Sequence, residues 1–281
     1  MLISISQQVN AVKIERLTPH IGAVIHDVDL ATCDDDTFKA VYQTWLTHQV
    51  IFLREQFFSP QQHLTIAARF GELEATHPFF PHVSSATQVS VIETVPGKPP
   101  LESFWHTDHT WRDQPSKASV LHAQHVPACR GDTLWCSMTA VFRDLPEQDK
   151  AQLRELSAMH ALFAFDGIES SEITEDWQKQ VIAVAAKNPP VSHPVITLHP
   201  ETGEEILFIN EQFTRYIIGI NRDDSNALLA KLFTLARQPE YQVRFKWQAN
   251  SLAIWDNRCT QHFAVIDYAD NPRKLHRVTV V

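Results

Sequence analysis

Glycine is scarce in this chain, seven residues against sixteen prolines, and no Gly/Ser-rich or charge-rich run interrupts its 281 residues. Nothing marks a flexible linker between independent units, so residues 1–281 read as a single domain. Cysteine is sparse too: Cys33, Cys129, Cys136 and Cys259 form no C-x-x-C pair, which argues against a zinc ribbon or a disulfide framework. No stretch approaches the roughly 18 consecutive apolar residues of a membrane span, and the first seventeen residues lack a signal-peptide pattern. A cytoplasmic protein with no membrane partner is expected. Basic residues are in deficit, with a formal charge of −9, so the chain lacks the general basic surface that displaces counterions from nucleic-acid phosphates. What it has in quantity is apolar residues, 44% of the total, enough to bury a large core.

Those apolar residues follow two periods. Phe38, Val41, Tyr42 and Trp45 fall at i, i+3, i+4 and i+7 behind three aspartates, Asp34 to Asp36, suited to a helix N-terminus. Ser59-Pro60-Gln61-Gln62 supplies an N-cap, a proline at the first helical position and a capping-box glutamine, predicting a helix over about 60–70 that stops at Gly71. A helical insertion is expected over about 140–190, with helices near 146–156 and 174–186, and a further helix over 225–236. Strands are predicted near 24–25, 50–53, 89–95, 118–125, 195–198, 206–209, 241–247, 252–255 and 275–281, with Glu201-Thr202-Gly203 as a hairpin turn. The pattern indicates a mainly β fold with flanking helices (α+β), a sandwich or barrel wrapped by helices.

The chemistry concentrates in a few distant residues. His106-Thr107-Asp108 is followed far downstream by His262, then by Arg273 eleven residues on and Arg277 four after that. Two imidazoles and one carboxylate can hold ferrous iron on one face and leave coordination positions open. The tripeptide alone is weak evidence, since fifteen His and thirty-three Asp plus Glu produce His-x-Asp/Glu by chance roughly 1.8 times in this chain. In a strand or strand end, positions i and i+2 share a face, so His106 and Asp108 can reach one cation, with Trp105 and Trp111 keeping water away. The same period sets Arg273 and Arg277 on one face, where a planar guanidinium can present two parallel donors to a carboxylate. The alternative is a half-buried strand with polar residues in water and arginines in surface ion pairs.

In order, Trp105-His106-Thr107-Asp108, Gly131-Asp132-Thr133-Leu134-Trp135, Asn188-Pro189-Pro190, Trp255-Asp256-Asn257-Arg258, Gln261-His262, Arg273 and His276-Arg277 resemble the taurine dioxygenase branch of the Fe(II)/2-oxoglutarate-dependent dioxygenases, the TauD/TfdA-like family. The resemblance runs from about Pro19 to the C-terminus. It implies a double-stranded β-helix, the jelly-roll or cupin-like core, and Fe(II), 2-oxoglutarate and O2 as cofactors. By the same resemblance His106, Asp108 and His262 are the catalytic metal ligands, and Arg273 with Thr133 binds the distal carboxylate of 2-oxoglutarate. Arg277, His77 and Phe213 then line the site of a small anionic organic substrate, and a homo-oligomer is implied. Thr133 could instead be a turn or strand hydroxyl, His77 a loop residue and Phe213 part of the core. This chain also departs from the taurine enzyme: Phe80 stands where tyrosine is usual, Arg130 where a first glycine is, and Glu102 where an asparagine approaches the taurine amine. Glu102 either meets an ammonium group or is solvated in a loop.

The implied reaction is oxidative decarboxylation of 2-oxoglutarate to succinate and carbon dioxide, coupled to hydroxylation of the substrate. On taurine or a related sulfonate it releases sulfite and leaves an aldehyde. Loops at 77–80 and 163–173 are expected to close over the substrate. Other readings are the same chemistry on an alkyl sulfate, an aryloxyacetate or an amino-acid-derived carboxylate, and a non-catalytic metal-binding cupin-like module. A zinc hydrolase would leave the paired arginines after the third ligand unexplained.

Overall fold

Side chains alternate across a strand, so each apolar run at the centre of this molecule serves two different cores. The computed structural model describes residues 12–94, 103–162, 176–268 and 271–281. Eight strands form the main sheet in the order β1 (Lys13–Arg16), β2 (Ala23–His26), β3 (Val50–Leu53), β14 (Leu252–Asp256), β6 (Ala118–His125), β16 (Arg273–Val280), β5 (Ala86–Thr94) and β4 (His82–Val83). Pairing is antiparallel except between β2 and β3, and β14 aligns Ile254 with Ile51 on one side and Val120 on the other.

One face of this sheet carries Ile51, Leu53, Val120, Leu252, Ile254, Val278 and Val280, and two helices cover it: α1 (Asp35–His48) through Phe38, Val41 and Trp45, and α2 (Pro60–Ala68) through Ile66 and Ala67. Asp34 caps α1 by accepting from Thr37 N–H, and Ser59 with Gln62 forms the capping box of α2. The opposite face presents Val50, Phe52, Leu121, Ala123, Ala253, Trp255 and Leu275 to a second sheet of β13 (Gln242–Phe245), β7 (Thr133–Ser137) and β15 (Thr260–Ala264), which contributes Trp135, Val243 and Phe245. The two sheets close on each other as the jelly roll that the family resemblance implies.

The outer face of the second sheet is covered in turn by α3 (Met138–Arg143), α4 (Glu147–Arg154) and α6 (Arg222–Ala236), which join Cys136, Val141, Leu153, Leu229 and Leu232 in a further core. Strands β8 (Ser157–His160), β9 (Val191–Pro194) and β12 (Thr214–Ile217) form a third sheet, and β10 (Ile196–Leu198) with β11 (Glu205–Leu207) makes the hairpin through Gly203. Helix α5 (Asp176–Ala185) completes the helices described between 138 and 185.

Differences from the sequence reading are local. Helix α6 begins at Arg222 because Asn221 caps it, accepting from Asp224 N–H, an acidic first turn that leucine periodicity does not register. A 3-10 turn, Pro239–Tyr241, takes the start of the 241–247 run and leaves β13 four residues long. Strands β7, β8, β12 and β15 carry few contiguous apolar residues and exist because a neighbour pairs with them.

Sandwich geometry aims the chemistry inward. Arg273 and Arg277 share the inner face of β16 with Leu275. His262 lies directly opposite Trp135 across β15 and β7, so its ring also points between the sheets.

Candidate metal centre and cavity

His106 and His262 meet through one antiparallel bridge. His106 N–H donates to His262 O at 3.1 Å, His262 N–H returns to His106 O at 2.8 Å, and the rings lie 4.0 Å apart. Of the two arrangements that could present His106 and Asp108 together, the strand end is found: extended pairing stops at His106 and the chain turns from Asp108 onward. The position of Asp108 is therefore set by Asn257, a residue of the Trp255-Asp256-Asn257-Arg258 motif. Asp108 N–H donates to Asn257 Oδ1 (2.8 Å), and Asn257 Nδ2 donates to Asp108 O (2.9 Å) and Ser116 O (3.0 Å). Thr107 Oγ1 adds a bond to Thr260 O at 2.9 Å.

The donor set fits a divalent iron. Asp108 Oδ1 lies 3.6 Å from His106 Nε2 and 4.0 Å from His262 Nε2, and all three ligand atoms lie within 4.8 Å of one another. His106 Nδ1 faces the carbonyl of Phe104 at 2.8 Å, which assigns the proton to Nδ1 and leaves the Nε2 lone pair facing Asp108. Burial, with His106 close by, pushes the pKa of His262 down to about 3, so this ring is neutral and able to ligate. Burial opposes the charge of Asp108, but Arg277, then His262 and His106, hold its carboxyl well below the usual carboxylate range. Arg277 Nη1 stands 3.4 Å from Asp108 Oδ1, and Ser119 Oγ donates to Oδ2 at 3.1 Å.

A cavity of about 580 Å³ opens on His106 and Asp108. Phe79, Phe80, Phe104, Trp111, Leu162, Val181 and Phe213 give it a largely aromatic wall, interrupted by His77, His109, Gln180, Gln212 and Arg277. Among the described lining residues Arg277 is the one permanent cation and Asp108 the one carboxylate. The guanidinium of Arg277 packs over Phe80 at 5.1 Å and its Nε has no protein partner. Gln180 of α5 donates to Pro78 O, which ties that helix to the His77 loop across the cavity.

Of the residues singled out from sequence, His77, Phe213 and Arg277 line this one cavity with His106 and Asp108. Arg273 and Thr133 do not line it. Arg273 is 4% exposed, lies over the Tyr268 ring at 5.2 Å and leaves Nε unpartnered, while Thr133 Oγ1 accepts from Trp247 Nε1 at 3.0 Å. Gly131, at φ +72°, is packed so closely that a Cβ there would stand 2.9 Å from Arg273 Cδ and Nε. Glu102 and the 163–173 segment fall outside the described residues. Trp105 turns away from the cavity onto Phe263 (5.6 Å), so Trp111 alone of the expected pair shields the site. Phe104, His109, Leu162, Gln180, Val181 and Gln212 also line the cavity and were not foreseen. Of these, Phe104 and His109, on either side of the His106-Thr107-Asp108 tripeptide, were within reach of sequence logic.

A second buried trio, His199, Asp256 and Cys259, also has its ligand atoms within 4.8 Å. The lone pairs of its carboxylate and imidazole are already used, and the Cys259 thiol faces Asp256 O at 3.8 Å. Asp256 accepts from Arg258 Nε (2.8 Å), Arg258 Nη2 (2.5 Å), Arg258 N–H (3.0 Å) and His199 Nε2 (2.9 Å), and His199 Nδ1 accepts from Thr202 N–H (3.0 Å).

A jelly roll with two imidazoles and a carboxylate meeting at a buried, aromatic-walled cavity defines a class, the non-haem iron oxygenases. The family model described as taurine catabolism dioxygenase TauD, TfdA family matches residues 13–279, and the chain belongs to that family of 2-oxoglutarate-dependent dioxygenases, enzymes that use Fe(II), 2-oxoglutarate and O2. It is 32% identical over 287 residues to an alkylsulfatase of Acinetobacter baylyi, covering 100% of this chain and 88% of that protein. It is 33% identical over 263 residues to an alpha-ketoglutarate-dependent sulfate ester dioxygenase of Pseudomonas putida, covering 92% and 86%. Among solved structures it resembles a taurine dioxygenase from Burkholderia xenovorans, with 33% identity, a TM-score of 0.83 and coverage of 96% and 89%. No helix among the described residues is long and apolar enough to cross a membrane.

Proposed function

We propose that this enzyme hydroxylates an organosulfur monoanion, a sulfonate such as taurine or a sulfate ester, at the carbon beside the anionic group. The product would then break down to an aldehyde with release of sulfite or sulfate. In this reading His106, Asp108 and His262 hold the iron. Iron with 2-oxoglutarate and O2 supplies decarboxylation to succinate and the oxidising power for the C–H bond. Arg273, a buried guanidinium with an unspent Nε packed on the Gly131 segment that leads into Thr133, is assigned the distal carboxylate of 2-oxoglutarate.

One observation carries the substrate assignment: Arg277 is the one permanent cation on the described cavity wall, within 3.4 Å of Asp108, so a single anionic head bound there is held beside the metal ligands. The aromatic wall excludes water and fixes the rest of the substrate. The same wall favours a longer-tailed member of the class. Its carbon-rich lining offers contact to a hydrocarbon tail, and no described lining carboxylate other than Asp108 is present to receive the taurine ammonium.

Succinate formation with iron, 2-oxoglutarate and O2, measured against taurine, C4 to C8 alkanesulfonates, alkyl sulfates and aryloxyacetates, tests this directly. An organosulfur anion should stimulate turnover with stoichiometric sulfite or sulfate, and KM should fall with chain length. Turnover with aryloxyacetates or amino-acid carboxylates alone would overturn the substrate assignment. Separately, anaerobic Fe(II) and 2-oxoglutarate should give a weak visible charge-transfer band.

A further inference from the structure

The segment that links β11 to β12 meets the chain at or beside each of the three metal ligands. Gln261, which precedes His262, donates from Nε2 to Ile209 O (2.7 Å). The Phe213 ring meets the ring of His106 edge-on at 6.2 Å. Asn210, fully buried, reaches Thr110, two residues beyond Asp108.

The backbone fixes which way the Asn210 amide points. Phe213 N–H can only donate, so the atom 2.8 Å from it is the amide oxygen, and Nδ2 is left to donate to Thr110 Oγ1 at 2.9 Å. The Thr110 hydroxyl therefore accepts from Asn210 and gives its one proton to His160 Nδ1 at 3.1 Å. That puts the His160 proton on Nε2, facing Thr214 Oγ1 at 3.4 Å, and Thr214 Oγ1 also accepts from Asn210 N–H at 2.9 Å. The circuit closes on the residue where it began. Burial pushes the pKa of His160 down to about 3, so its ring stays neutral, and His193 Nε2 holds the same loop by donating to Thr110 O at 2.8 Å.

What this circuit carries is the apolar wall of the cavity. Trp111 follows Thr110, Phe213 is bonded through its N–H to the Asn210 side chain, and Leu162 follows Ala161, whose N–H donates to Phe213 O at 3.0 Å. The three side chains pack as one cluster. Thr110 and Asn210 lie 100 residues apart in sequence, and the bond between their side chains joins the Trp111 segment to the Phe213 segment.

We propose that Asn210 is a positioning residue for substrate specificity: its amide spans Thr110 Oγ1 and Phe213 N–H and so sets the separation of Trp111 and Phe213, the two aromatic faces that hold the organic part of the substrate beside the metal ligands. A fixed separation keeps one substrate carbon in place. A displacement of about 1 Å costs up to about a hundredfold in rate, and a loosened wall lets 2-oxoglutarate be consumed without product.

The proposal rests on the cavity as the substrate site described above, and its test separates the two. Native-state hydrogen exchange of the full chain needs no substrate. In Asn210→Ala the Phe213 amide should exchange at least about tenfold faster than in the wild type while the amides of β14 keep their rates. An unchanged Phe213 amide overturns the proposal whatever the substrate proves to be. In the iron enzyme, Thr110→Val keeps the shape of the side chain and removes the link. It should raise KM for the preferred organosulfur anion about tenfold, increasingly from C4 to C8 tails, and raise the ratio of succinate to sulfite or sulfate about threefold or more. Iron content and KM for 2-oxoglutarate should stay within about twofold, and Thr110→Ser, which restores the hydroxyl, should return both readouts toward wild type. Wild-type KM and product ratio in Thr110→Val, or activity lost only in proportion to folded protein, would overturn it. Failure of every organosulfur anion would remove the function proposed above, and the same comparison would then be made with the anion that does stimulate turnover.

Discussion

Two buried trios in this molecule look alike in composition and differ in what their lone pairs do. His106, Asp108 and His262 have ligand atoms that face one another, two of the three residues opening on a cavity, while in the equally close set of His199, Asp256 and Cys259 the histidine and the carboxylate have spent theirs on Arg258, on each other and on the backbone of the Glu201 turn. They are joined through one turn, in which Asp256 and Cys259 flank Asn257, the residue that pins Asp108. Proximity of metal-binding side chains is therefore not enough. A site needs donors whose other partners orient them without occupying them, as Phe104 O does for His106.

Removing one carboxylate from each trio tests this most strongly. Asp108→Asn or His262→Ala is expected to abolish both iron retention and succinate formation, read by metal content after gel filtration and by product analysis. Iron held at wild-type level would place the metal elsewhere. Asp256→Ala is expected to retain one iron per chain yet to lose about 3–5 kcal/mol in denaturant unfolding, because Arg258 and His199 keep their burial without their acceptor. If it loses iron as Asp108→Asn does, the contrast between the trios fails.

Asn257→Ala reaches the first trio from the second with a smaller effect. It should weaken iron affinity or activity about ten- to hundredfold with little change in fold, since only the orientation of Asp108 is lost. An iron titration indistinguishable from wild type would return Asn257 to an ordinary turn residue.

Histidines in neither trio show a third fate, burial as neutral packing groups. Burial pushes His63 and His160 down to about 3 and His122 down to about 4. Above pH 6.5 folded and unfolded chains both hold these rings neutral. As pH falls below that value, the unfolded chain takes up protons that the folded chain refuses, so stability should drop by about 1.4 kcal/mol per group per pH unit until the folded pKa is approached. Thermal midpoints between pH 7 and 4.5 would show it, and His63→Phe should flatten the curve. A flat wild-type profile would mean these rings are charged in the fold.

Much of the architecture was legible because strong local signals agree with it: the Ser59 capping box, the Phe38 to Trp45 helical face, and the apolar runs at 50–53 and 118–125. The short strands carrying Thr133 and His262 were not legible, since five residues with no more than three apolar ones in a row become a strand only when a neighbour pairs with them. The same limit explains His109 and Trp105. A side chain beside a ligand can face the cavity or leave it, and the turn at Asp108 decides which.

Residue types and their order along the chain determined the family, the ligand chemistry of two imidazoles with a carboxylate, and the pairing of Arg273 with Arg277 on one strand face, because these depend on identity, spacing and a two-residue period. Tertiary structure alone decided that Arg277 faces the cavity while Arg273 is enclosed against Gly131, that one trio is open and the other saturated, and that Asn257 carries Asp108. Those outcomes depend on which lone pairs remain after distant segments have met, and no local pattern encodes that.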